Sequence, residues 1–139
     1  MHYILNLKGF ISTDFSLYRD YDDLLIWNCF RNRVMAYAIQ KAGGIVIPTA
    51  GFGPERTWKW CFDALPHNSS VAVTTNGILD DPEAKRIFVG GIDALVNTIH
   101  PVNLIVCGKY PDWLNSKYPE VNIIGIPSYG QTWQKRRCA

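Results

Sequence analysis

No stretch of this chain approaches the roughly eighteen consecutive apolar residues of a membrane-spanning helix, and no signal peptide opens it. The simplest expectation is a cytoplasmic protein with reduced thiols and no membrane partner. Cys29, Cys61, Cys107 and Cys138 are scattered with no Cys-x-x-Cys among them, which argues against a zinc site. Charge is also scarce. Asp, Glu, Lys and Arg make up 19% of the residues, against about 25% in ordinary domains. The formal net charge of +2 is too small to mark a nucleic-acid binder by itself. Gly-x-Gly-x-x-Gly, the Walker loop, Gly-x-Ser-x-Gly and His-Glu-x-x-His are all missing. His2, His67 and His100 stand at the terminus or beside prolines at helix ends, where capping and solvent contact account for them. No metal and no cofactor are expected.

Aromatic residues are plentiful, at 13% with 5 Trp, 7 Tyr and 6 Phe. So much flat apolar surface with so few charges predicts that some of it is covered by another copy of the chain. A two-fold dimer is the default, being the commonest closed assembly. The length of 139 residues predicts one domain spanning 1–139, with a leader at 1–8 and a basic tail at 128–139 carrying Lys135, Arg136 and Arg137.

Nearly continuous apolar runs at 45–47, 71–75, 103–107 and 121–126 read as strands buried on both faces, with a further strand at 9–12. Helical stretches lie between them at 22–41, 54–65, 81–99 and 111–118. They open on Asp, Pro-Glu or Asp-Pro-Glu and stop at Gly-Gly or before proline. The alternation predicts an α/β fold: an open, mostly parallel sheet of about five strands with helices on both faces, Rossmann-like or flavodoxin-like.

In such sheets ligands bind beyond the carboxyl ends of the strands. The loops there carry Asp14, Ser16, Arg19 and Asp20, then Gly51, Gly53, Glu55 and Arg56, then Thr75 and Asn76. Glycines let backbone N–H groups approach a ligand closely, although they are also ordinary turn residues. The 22–41 helix is apolar nearly all round, which predicts burial, yet its middle holds Asn28, Arg31, Asn32 and Arg33. At 100° per residue Asn28, Arg31 and Asn32 share a face and Arg33 points elsewhere. A buried guanidinium needs a carboxylate, a carbonyl or an anionic ligand. An internal pair with Asp14, Asp20 or Glu55 is one expectation, and a phosphate clamp is the other.

Three blocks, Gly9 to Asp20 with Asp14-Phe-Ser-Leu-Tyr-Arg-Asp20, Ile26 to Arg33 with Arg31-Asn-Arg33, and Glu55-Arg-Thr to Cys61-Phe62, resemble a domain family of unknown function carried by bacteria, phages and plasmids. An Asn68-Ser-Ser-Val-Ala block follows in the same order. The resemblance covers about residues 8–127 and implies a mobile-element setting without an established enzyme class. It also implies that residues 3–7 end a preceding helix, in a segment that members carry further upstream. Where members often have His, this chain has Asn76.

The leading expectation is a phage or mobile-element α/β protein that binds, and by binding sequesters, a phosphate-bearing small molecule such as a nucleotide signal. The alternatives are a metal-dependent phosphodiesterase or nuclease using Asp14, Asp20 and Glu55, and a nucleic-acid-binding replication accessory using Arg33, Arg56 and the basic tail. The residues do not decide whether the protein is an enzyme.

Overall fold

Asp22 and Asp23 complement the positive end of a helix dipole and Lys41 the negative end. Between them the chain forms α1, Asp22–Lys41, ending at Ala42 with Gly43 beyond it at positive φ. The computed structural model describes residues 9–128 and Thr132; the leader, the basic tail with Lys135 to Arg137, and Cys138 lie outside the described residues. The other elements are β1 (Phe10–Ile11), β2 (Val46–Ile47), a 3-10 turn (Glu55–Thr57) running into α2 (Trp58–Cys61), β3 (Ser70–Thr74), α3 (Pro82–Ile99), β4 (Asn103–Cys107), α4 (Trp113–Lys117) and β5 (Asn122–Ile126). Asp81 caps α3, accepting from the backbone N–H groups of Glu83 and Ala84, with Pro82 in the first turn. The helix expected over 54–65 is short and broken instead.

All strand pairs are parallel, but they form two sheets rather than one continuous five-stranded sheet. β1 pairs with β2, and β3, β4 and β5 pair in that order. The two sheets meet at a single bridge, Thr49 to Ala72, where Ala50 N–H donates to Ala72 and Ala72 N–H donates to Pro48. Pro48 explains the interruption. Its carbonyl faces β3, and on that side it has no N–H to continue the ladder.

Neighbouring strands follow chain order, so each crossover of the usual hand sets its helix on the same side. The core agrees. Val71 and Val73, Leu104 and Val106, and the partly buried Ile123 face one hydrophobic cluster, which takes Leu25 and Cys29 from α1, Cys61 from α2, Phe88, Ile92 and Leu95 from α3, and Leu114 from α4. The alternate strand residues Ala72, Ile105 and Ile124 lie outside that cluster. Ala72 and Ile105 are buried too, at 0% and 7% exposure, whereas Ile124 is 42% exposed.

Two adjacent glycines in α3 test this packing. A Cβ on Gly91 would come within 2.8 Å of the Cβ of Phe52, whereas on Gly90 the nearest atoms are the Trp58 ring at 3.4 Å. Gly91→Ala should therefore lose about 1–2 kcal/mol to overpacking despite its better helix propensity, and Gly90→Ala should gain up to about 1 kcal/mol. Urea unfolding midpoints with unchanged slope check both signs.

Candidate functional site

The long helix turns its amides inward. Asn28 and Asn32 are buried, while Trp27, Phe30, Val34 and Tyr37 are exposed, so the helix is not buried all round as its composition predicts. The Asn28 side-chain NH2 donates to the Ser16 carbonyl at 2.7 Å. Asn32 Oδ1 accepts from the Phe15 N–H at 3.0 Å and the Thr13 hydroxyl at 3.3 Å. Arg31 lies 3.7 Å over the Phe15 ring and donates to Asn28 Oδ1 at 3.2 Å. The loop after β1 is thus strapped onto α1. Thr49 donates two buried hydrogen bonds to Ser12, from its N–H to the hydroxyl at 2.8 Å and from its hydroxyl to the carbonyl at 2.9 Å, which lock the ends of β1 and β2 together.

Arg33 leaves on another face and donates to three carbonyls: Thr49 and Cys61, each at 2.8 Å, and Asp63 at 3.0 Å. Burial lowers its pKa, with Cys29, Cys61 and Asp63 acting in the opposite direction. Carbonyl oxygens, rather than Asp14, Asp20 or Glu55, satisfy this guanidinium.

Beyond the carboxyl ends of β1, β2 and β3 these loops enclose a cleft of about 570 Å³. Asp14, Ser16, Arg19, Asp20, Gly51 and Asn76 line it, so six of the expected positions come together where the strand-end rule puts them. Asn28, Arg31, Asn32 and Arg33 do not line it; they hold its walls. Gly53 packs against Thr57, and Thr75 donates to the Lys109 carbonyl at 2.8 Å. Glu55 and Arg56 sit on the 3-10 turn, outside the cleft lining.

The apolar wall went unread in the sequence. Leu17, Phe52, Ile78, Ile87 and Phe88 supply it, and Tyr18 and Tyr21 stand among the lining residues. The available signal was the placement of Phe52 and Ile78 just past strand ends, where the expected ligand face lies.

The electrostatics of the cleft are acidic. Arg19 is held by Asp81 at 3.1 Å and Glu83 at 3.7 Å. Arg56 makes two bonds to Asp22, at 2.7 and 2.9 Å. The amide groups at the start of α3 are taken by Asp81, whose pKa is lowered by the Ala84 N–H, then by Arg19 and the Glu83 N–H. Asp14 is different. It reaches solvent inside the cleft and makes no hydrogen bond or ion pair among the described residues, and the surrounding protein pushes its pKa up by desolvation. A Cβ on Gly51 would meet Leu17 Cδ1 at 2.7 Å, so a side chain there would have to push Leu17 aside.

Cys61 lies in the core. Its thiol is pushed down to about 7, chiefly by the hydrogen bond from Cys29, with Gly53, Thr57 and Arg33 adding to it and burial opposing. It is fully buried, which keeps it from reagents.

A family profile described as Domain of unknown function (DUF4417) matches residues 1–125. The "Gene 1 protein" of Mycobacterium phage D29 is 32% identical over 130 residues, covering 91% of this chain and 46% of that protein. The "Gene 1 protein" of Mycobacterium phage L5 is 30% identical over 128 residues, covering 91% of this chain and 54% of its own length. The chain thus spans about half the length of these curated relatives. No solved structure matches it.

The raised pKa of Asp14 has a thermodynamic sign. The folded state holds this proton more tightly than the unfolded chain. Stability is therefore lost as pH rises from the ordinary carboxylate value, 3.8, through the folded value. Asp14→Asn should melt higher than the parent at neutral pH, and the difference should close at acid pH, where both side chains are neutral. Thermal melts across pH check this.

Proposed function

The chain belongs to the DUF4417 family and has phage proteins among its relatives, and from that premise we propose that it is a phage or mobile-element binding protein for a small molecule of the nucleoside or nucleotide class. The observation that carries this reading is Asp14, an unpartnered carboxylate in a cleft with apolar walls. Such a group offers acceptor oxygens to a ligand that brings hydrogen-bond donors on a flat, largely apolar body. The amino and ring N–H edge of a nucleobase has that chemistry, and carboxylates accept from such edges. Leu17, Ile78 and Ile87 offer the surface against which the base would lie.

The phosphate end of a nucleotide is better placed outward in this reading. Arg19 and Arg56 are neutralised by carboxylates, and Arg31 stacks on Phe15 outside the cleft. Affinity then rests on the base rather than on a phosphate clamp. Binding without turnover fits sequestration, in the cytoplasm of the host cell. Asp14 and Asp20 line the cleft and Glu55 does not, which favours binding over the carboxylate trio of the nuclease alternative.

A thermal-shift panel of nucleobases, nucleosides, nucleotides, inorganic phosphate and pyrophosphate tests this. A ligand at about a hundred times its dissociation constant stabilises the native state by about 2.7 kcal/mol, roughly a ten-degree rise for a domain of this length. The rise should be shared by a nucleoside and its phosphates, absent with inorganic phosphate, and lost in Asp14→Asn. A response to phosphate alone, or one that survives Asp14→Asn, would overturn the reading.

A further inference from the structure

The outward face of α1 carries a second signal, independent of the cleft. Asp23, Trp27, Phe30, Val34, Tyr37 and Lys41 follow one another at alternating spacings of four and three, the seam of a helix that packs against another helix. In a monomer such a seam should be buried. Here Trp27 is 54% exposed, Phe30 56%, Val34 43% and Tyr37 59%, so nothing among the described residues covers it fully. Trp27 and Phe30 stack at 5.6 Å, which fixes two of the knobs before any partner arrives. Alongside runs an apolar groove of about 1080 Å³ between α1 and β2, to which Ile45 and Trp60 contribute. The contact therefore extends beyond the seam.

The order of residues along the seam names the occupant. The six positions are symmetric about residue 32: Asp23 mirrors Lys41, Trp27 mirrors Tyr37, and Phe30 mirrors Val34. A second α1 laid antiparallel across a two-fold axis at that point sets acid on base at both ends. It sets aromatic on aromatic inside them and a large residue on a smaller one at the centre. It also opposes the two helix dipoles. A parallel partner would bring Asp23 onto Asp23 and Lys41 onto Lys41. The seam is about 27 Å long at 1.5 Å per residue, ample for a helix pair. We infer that this face is the two-fold interface of a homodimer, formed by antiparallel packing of α1 on α1 of a second copy.

Sedimentation equilibrium on the intact chain tests it. The wild type should be a dimer at micromolar concentration. Phe30→Glu should be a monomer with unchanged far-ultraviolet circular dichroism, because the side chain is on the surface. Asp23→Lys should weaken the dimer by about threefold or more, and adding Lys41→Asp should restore it, because both ends regain opposite charges. A wild type that stays monomeric to high micromolar concentration would overturn the inference and leave a different protein as the occupant. A Phe30→Glu variant that still dimerises, or a double reversal no tighter than the single, would equally overturn it.

Discussion

Two amide side chains and one guanidinium on α1 hold the functional end of this protein in place. Asn28 and Asn32 satisfy the backbone of the loop after β1, and Arg33 satisfies three carbonyls from the β2 loop and the end of α2. These backbone groups sit in loops or at the carboxyl end of α2, where regular hydrogen bonding gives out. Left unpaired and away from water, each costs about 1–3 kcal/mol. Three side chains of one rigid helix remove those penalties together, so irregular loops keep a fixed shape without regular structure of their own.

The electrostatics follow from the same arrangement. Each described arginine near the strand ends is committed: Arg33 to carbonyls, Arg31 to Phe15 and Asn28, Arg19 to Asp81 and Glu83, Arg56 to Asp22. The described cleft residues without a hydrogen bond or ion pair include two acids, Asp14, whose charged form the site disfavours, and Asp20. The two long faces of α1 therefore differ. The amide face builds the cleft, and the aromatic face is exposed.

Much of this was legible before the fold was known. β4 lies at 103–107 and α1 at 22–41, as the apolar run and the helix-end residues indicate. The strand-end loops converge as expected, with Asp14, Arg19, Asp20, Gly51 and Asn76 together. The orientation of α1 was hidden, because a helix apolar on all sides has no periodicity to show which face is inside. The spacing of Asn28 and Asn32 showed that they share a face. It did not show that the face looks inward, since their partners are backbone groups that a sequence does not display. The division into two sheets was hidden for a related reason. Pro48 interrupts a ladder only if its missing N–H faces a neighbouring strand, and that depends on register with β3.

The account turns on the claim that the amide face of α1 makes the cleft. Hydrogen exchange at the Phe15 amide, read in the wild type and in Asn32→Ala together with binding of a cleft ligand, tests it most directly. The account predicts a protected Phe15 amide in the wild type, a freely exchanging one in a variant whose β3 and β4 amides stay protected, and binding lost with it. Unchanged binding with the Phe15 amide released would contradict it, since the cleft would then stand without the strap.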